Sequence, residues 1–181
     1  LSEGMLDRAD VNIKKTALEN VDLFRMDAEQ PEFRSDYFHA VTCLFGLFFI
    51  SDMAKSLAEW HRVTRPDGVV VFSSFTENAF SKLGECFIED LSMAGVDMTD
   101  RPLASGRLKG AEVCHALMTT AGFVNIKQAT VQMGYHLPDE QAWWDVVWGS
   151  AMRGLLEPLD ESQLSDFRQR HLERVAEMVG D

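Results

Sequence analysis

The chain is poor in cysteine, poor in basic residues relative to acidic ones, and without a long apolar run, and each shortage removes a class of function. Cys43, Cys86 and Cys114 show no close metal-type spacing and are too few for a disulfide framework. They read as reduced core thiols in a cytoplasmic protein. No cluster of ligand-type residues in the sequence predicts a metal site. The 17 basic residues face 29 acidic ones, for a formal net charge of −12, which argues against broad contact with nucleic acid or an anionic membrane. The longest apolar run, Val41 to Ile50, is broken by Thr42 and Gly46 and falls short of the roughly 20 residues a membrane span needs. Secretory signal, internal repeat, low-complexity tract and flexible interdomain linker are all missing from view. What is present is ordinary: 46% hydrophobic and 25% charged residues over 181 positions, sufficient for one domain, 1–181, with a substantial core.

The hydrophobic pattern alternates between helix and strand periods. Met5, Ala9, Ile13 and Ala17 recur at four-residue spacing after a capping Ser2, predicting a helix that ends at Asn20. Val21 to Met26 reads as a strand. Phe38 to Phe45 is nearly continuous apolar sequence, as in a central parallel strand, with Cys43 and His39 expected to be buried. Ser51 or Asp52 opens a helix with Met53, Leu57 and Trp60 on one side, and Pro66-Asp67-Gly68 turns the chain into the β-branched run Val69 to Ser73. Beyond this, helices are predicted over 77–94 and 109–121, a loop with Pro102 between them, a strand over 123–131, a helix from Pro138, and a last helix opened by the capping-box pair Asp160 and Gln163. Strands alternating with helices predict an α/β fold with a mostly parallel sheet.

Two loops carry candidate chemistry, and a third segment is structural. Asp27-Ala28-Glu29 directly follows the first strand, where a carboxylate can accept hydrogen bonds from an exocyclic amine or a ribose hydroxyl and Ala28 leaves room for a flat ring; a solvated loop acid or a helix cap is the other reading. Leu44-Phe45-Gly46-Leu47 ends the second strand, with Gly46 permitting a close backbone approach or a positive φ and Phe45, Phe48 and Phe49 supplying an apolar wall or simply core. Arg62-Val63-Thr64-Arg65-Pro66-Asp67-Gly68 reads as structural. Among the histidines, His136 is the candidate base because it falls in a loop after a strand, while His39, His61, His115 and His171 read as packing or surface residues. Trp143, Trp144 and Trp148 on adjoining helix faces could line an aromatic pocket or pack a helix.

Taken in order, these segments resemble a known family. Asp27-Ala28-Glu29-Gln30-Pro31-Glu32-Phe33, Phe38-His39-Ala40-Val41-Thr42-Cys43-Leu44-Phe45-Gly46-Leu47, Glu59-Trp60-His61-Arg62-Val63-Thr64-Arg65-Pro66-Asp67-Gly68, and Ala121-Gly122-Phe123 are similar to successive motifs of class I S-adenosylmethionine-dependent methyltransferases related to ubiquinone and menaquinone biosynthesis. Leu1 to Leu6 looks like the helix after that family's ribose-binding acid. The resemblance implies a Rossmann-like, mostly parallel sheet with helices on both faces, incomplete at the N-terminal and C-terminal ends. It implies S-adenosyl-L-methionine as cofactor, with Asp27, Ala28 and Glu29 on its adenosine side and Leu44, Phe45 and Gly46 bordering its methionine side. The acceptor would be a small apolar or aromatic molecule, walled by Phe49, Phe75, Tyr135 and Trp144 and covered by lid segments 76–109 and 132–159.

The sequence departs from that pattern in its lack of the glycine-rich loop, in His39 where the family usually has Asp, and in Leu44 where a small polar residue is common. A methyltransferase-like binding or scaffold protein that has lost the cofactor is therefore the alternative, and a dinucleotide oxidoreductase shares the architecture without a motif here. A sheet short of strands also predicts self-association through an open edge.

Overall fold

The computed structural model describes residues 3–76, 78–98, 104–108, 110–134 and 136–179. Its elements run α1 (Glu3–Thr16), β1 (Phe38–Leu44), α2 (Met53–Val63), β2 (Thr64–Ser73), α3 (Ser81–Met93), α4 (Ala111–Thr120), α5 (Glu140–Gly149) and α6 (Glu161–Val179), with short 3-10 turns at Leu47–Phe49, Ala104–Leu108 and Ala151–Leu156. Two compact units result. The first is Leu1–Ser74 with Glu112–Ile126, and the second is Phe75–Ala111 with Lys127–Asp181. Ser2, Glu77, Pro102, Lys109 and the predicted wall residue Tyr135 lie outside the described residues.

The first unit is built on a β-α-β crossover. β1 and β2 pair in parallel, Ala40 opposite Val69 through Leu44 opposite Ser73. α2 connects them because its sequence gives it both a cap and a buried stripe. The Asp52 side chain accepts from the Lys55 backbone N–H at 2.9 Å. Ser56, Leu57, Trp60 and Val63, three or four positions apart, are buried. Arg65–Gly68 bulges out opposite His39, with Asp67 in the left-handed region at φ 62°. Gly68 is required there by space: a Cβ would stand 2.8 Å from the Arg65 carbonyl oxygen and 3.0 Å from that of His39. Residues Ala40, Thr42, Leu44, Val69 and Val71 leave one face of the pair exposed.

Several sequence expectations need correction here. Val21–Met26 and Phe123–Val131 are not strands, and the described residues form a sheet of two strands. Alternation can mark a segment as strand-like, but a ladder needs a neighbouring backbone, and neither segment has one among the described residues. Their apolar side chains accordingly stay open, as at Phe24 and Val124. His39, expected to be buried, is exposed because its partner strand bulges away at that position. α1 ends at Thr16 rather than Asn20, and Ala17 takes φ 52°.

The second unit is helical. Phe87 and Leu91 of α3, Trp143, Trp144 and Val147 of α5, and Phe167 and Val175 of α6 form its apolar core. A polar chain runs through it. Trp143 Nε1–H donates to His171 Nε2 at 2.9 Å, which leaves the ring proton on Nδ1, 2.6 Å from Asp90 Oδ2. Arg174 closes the chain on Asp90 Oδ1 at 2.6 Å and on Glu89 at 2.5 Å. Burial lowers the His171 pKa against the opposing pull of Asp90. Burial pushes the Asp90 carboxyl up, but hydrogen bonds from His171 and Arg174 outweigh it and hold the group below its ordinary value. α6 begins with a reciprocal capping box: Gln163 N–H donates to Asp160 Oδ1 at 2.8 Å and Asp160 N–H to Gln163 Oε1 at 3.0 Å. The segments expected to form an acceptor lid, 76–109 and 132–159, fall in this unit. Among the described residues no helix is long and apolar enough to cross a membrane.

Candidate ligand site at the carboxyl end of the first strand

Ligands of open parallel sheets bind outside the carboxyl ends of the strands. At that end of β1 the chain makes a tight loop. Phe45 sits at φ 51°, a left-handed conformation that a bulky residue adopts only at a cost of about 1–2 kcal/mol. Its N–H donates to Ser73 Oγ at 3.1 Å, tying the ends of β1 and β2 together. Gly46 has φ −121°, so its role is a close approach and not a positive φ: a Cβ there would lie 2.9 Å from Cys43 Sγ. Burial raises the Cys43 thiol pKa. The 3-10 turn that follows swings Phe49 out, leaving it 56% exposed.

Phe49 then meets the acidic loop. Met26, Asp27, Ala28, Glu29, Phe49, Ile50 and Ser51 line an open hollow of about 330 Å³, inside the size range of small-molecule sites. Met26, Ala28, Phe49 and Ile50 give it apolar walls, and Asp27 places a carboxylate at it. One Asp27 oxygen accepts the Glu29 N–H at 2.9 Å, a local turn that holds the loop's shape. The hollow therefore combines apolar lining with a hydrogen-bond acceptor, a combination suited to a planar heterocycle carrying an amino group.

What fixes this loop is α2. Glu29 Oε1 accepts the N–H groups of Ser51 and Asp52 at 2.9 and 3.3 Å, at the N-terminal end of the helix, where its dipole favours an anion. Trp60 Nε1–H donates to the Ala28 carbonyl at 3.0 Å. The Arg62 guanidinium donates to the carbonyls of Phe33 and Pro31 at 2.8 and 3.1 Å, and is itself held by Glu59. Hydrogen bonding to Arg62 lowers the Glu59 pKa. Asp36 and Tyr37 N–H groups reach the Arg62 and Val63 carbonyls at 3.0 and 2.9 Å. Residues 29–37 thus run beside α2 from its first turn to its last.

Of the residues singled out from the sequence, the hollow brings together Asp27, Ala28, Glu29 and Phe49. Leu44, Phe45 and Gly46 stand at the end of β1 without lining it. Phe75 and Trp144 belong to the second unit: Phe75 packs against Phe80 at 5.3 Å, and Trp144 is 6% exposed in the core, stacked on Trp148 at 6.1 Å. His136, also in the second unit, is exposed. Met26, Ile50 and Ser51 were missed as lining residues, and Trp60 and Arg62 as the groups that hold the loop. A buried tryptophan N–H requires an acceptor, which was the available signal for Trp60.

A second cluster, Cys86, Asp90 and His171, brings ligand-type atoms within 4.8 Å of one another. Its hydrogen bonding opposes metal ligation. Binding through Nδ1 would leave the imidazole proton on Nε2, facing the Trp143 N–H donor. The Cys86 thiol, pushed up to about 11 by burial and by the charge of Asp90, keeps its proton at neutral pH.

Comparison with known proteins places the acidic loop and the crossover in a family context. Residues 1–72 match the family described as methyltransferase domain. The chain is 40% identical over 70 residues to the demethylmenaquinone methyltransferase of Geobacillus stearothermophilus, covering 39% of this chain and 30% of that protein. It is 44% identical over 71 residues to its counterpart in Staphylococcus epidermidis, covering 39% and 28%. It is 32% identical over 68 residues to the ubiquinone/menaquinone biosynthesis C-methyltransferase UbiE of Proteus mirabilis, covering 38% and 27%. These matches span 27–30% of the length of those relatives. Among solved structures, a Bacillus halodurans C-125 protein provisionally assigned as a methyltransferase aligns with TM-score 0.50 and 25% identity, covering 68% of this chain and 50% of that one. The YcgJ protein of Bacillus subtilis aligns with TM-score 0.55 and 19% identity over 91% of this chain and 68% of its own, a likeness of fold.

Proposed function

We propose that this chain, whose residues 1–72 belong to the class I S-adenosylmethionine-dependent methyltransferases of the UbiE type, serves methyl transfer from S-adenosyl-L-methionine to a small apolar or aromatic acceptor. The observation that carries the reading is the hollow formed by Asp27, Ala28 and Phe49 at the carboxyl end of a parallel β-α-β unit, within the segment matched by the family. Its donor set fits the adenine end of the cofactor. The Asp27 carboxylate can accept from the exocyclic amine, and Met26, Ala28, Phe49 and Ile50 can cover the faces of the ring.

When bound, the cofactor supplies an already activated methyl group on sulfonium, so the chain's contribution is to bind, orient and exclude water. Leu44, Phe45 and Gly46 would border the methionine side, where the strained Phe45 backbone, pinned to Ser73, gives the loop a defined shape. The acceptor's class is inferred from the demethylmenaquinone methyltransferase relatives, with Phe75, Tyr135 and Trp144 as proposed walls and His136 as the candidate base. A reactive sulfonium needs no strong general base, so His136 would contribute by taking a proton from the acceptor and not by activating the donor.

Calorimetric titration with S-adenosylhomocysteine tests the reading. Binding with a micromolar Kd, weakened about tenfold in Asp27→Ala with an unchanged melting temperature, is expected for the loss of one hydrogen bond to a charged acceptor. Absence of binding, or indifference to Asp27→Ala, overturns it and favours a binding or scaffold protein without the cofactor.

A further inference from the structure

The geometry points to α2 as the mould of the ligand loop, with Glu29, Trp60 and Arg62 as positioning residues that act on the ligand through that loop. The proposal rests on the methyltransferase reading for the ligand's identity, but its structural part stands on three independent attachments. Glu29 ties residue 29 to the start of α2 through two N–H groups. Trp60, 6% exposed, ties residue 28 to the helix's inward face. Arg62 ties residues 31 and 33 to its end.

Each attachment reads the loop's backbone or uses α2's backbone. The loop itself is outside any strand or helix, so no ladder fixes its shape; the local turn at 27–29 and the attachments to α2 do so instead. A binding site whose shape depends on such supports loses affinity when they are loosened, without any contact to the ligand having been removed.

Glu29 is the decisive residue, because its sequence position suggests a direct ligand and its geometry suggests a cap. The oxygen that receives Ser51 and Asp52 can be a carboxylate or an amide carbonyl, since either accepts an N–H. A direct contact from a ribose hydroxyl or another polar ligand group would instead use the negative charge. Glu29→Gln keeps the cap and removes the charge. Glu29→Ala removes both.

Amide hydrogen exchange of residues 27–33 in the ligand-free full chain, with S-adenosylhomocysteine affinity measured alongside, separates these roles. Glu29→Ala is expected to speed exchange across the loop and to weaken binding about tenfold, the equivalent of one hydrogen bond. Glu29→Gln is expected to restore slow exchange and most of the affinity. Arg62→Lys, which keeps the charge and loses the two-pronged grip on Pro31 and Phe33, is expected to loosen 31–33 first. Trp60→Phe should free residue 28, and Arg62→Lys covers the case in which that core substitution does not fold. Equal loss of affinity in Glu29→Gln and Glu29→Ala would overturn the positioning role in favour of direct contact. So would unchanged exchange over 27–33 in Glu29→Ala and Arg62→Lys. If the wild-type chain binds no S-adenosylhomocysteine, the methyltransferase reading fails while the exchange result still decides what α2 does.

Discussion

Acidifying the protein should weaken the second unit through a single buried imidazole. His171 is fully buried, accepts at Nε2 from Trp143 and gives its Nδ1 proton to Asp90. The groups around it are Asp90 and Cys86 from α3, Trp143 from α5, and Arg174 from α6, with Glu89 behind Arg174. A second proton on the ring would put two N–H donors face to face at Nε2, and burial already lowers the folded-state pKa. In the unfolded chain the ring titrates near 6.5. Below that pH the unfolded state takes up the proton and the folded state resists it, so stability falls as pH drops, until the folded pKa is reached. Between pH 7.5 and 5.5 the loss amounts to about 1.4 kcal/mol if the ring stays neutral throughout. With a urea slope of about 1.5–2 kcal/mol/M, the unfolding midpoint should move down by about 0.7–0.9 M. Urea titrations followed by the emission of Trp143, Trp144 and Trp148 would measure it. His171→Gln should lose that slope whatever its absolute stability, and Trp143→Phe should flatten it by removing the opposing donor. A wild-type midpoint that is flat or rises toward pH 5.5 would refute the reasoning, since it would mean that the ring is charged beside Asp90 in the folded protein.

At the alkaline end, the Cys86 thiol, raised to about 11 from 9.0, keeps its proton in the fold while the unfolded thiol loses it. Stability should therefore decline by about 2–3 kcal/mol between about pH 9 and 11, and the decline should be absent in Cys86→Ala. Gly68→Ala should cost about 1–3 kcal/mol, read as a lower midpoint in circular-dichroism melting, because the new Cβ meets two backbone oxygens that cannot move aside. Asp160→Ala should remove about 1 kcal/mol by opening the capping box of α6, whereas Asp160→Asn, still able to accept from Gln163, should lose far less; equal losses would exclude the cap as the cause.

The parts of the fold that could be read from the sequence are those whose signals are local. β1, α2 and β2 stand close to where their patterns put them, Asp52 caps α2, and Asp160 and Gln163 cap each other as their spacing implies. The acidic loop and Phe49 stand out in the sequence and line one hollow, although the segment before the acidic loop is not the strand its pattern predicts. What could not be read depends on partners far along the chain. The two segments patterned as strands lack a neighbour to pair with among the described residues, and His39 faces a bulge that its own sequence does not announce. Trp60 hydrogen-bonds 32 residues back, and His171 reaches Asp90 81 residues back, so neither role leaves a local trace. Trp144 had two readings from its spacing, and its burial against Trp148 and Phe167 shows what packing alone asks of it.

The ligand loop and the polar core of the second unit also differ in when they can be made. Every residue that lines the hollow or grips its loop lies between Met26 and Arg62, and β2 is finished at Ser73. These contacts span 22 to 32 residues of chain. Each unit is threaded from two stretches of chain, 1–74 with 112–126 and 75–111 with 127–181, and the polar core of the second joins Asp90 to residues of α6. During synthesis, then, the contacts that shape the ligand loop have all their residues once Arg62 is made, while Asp90 still waits for its partner on α6, 81 residues on.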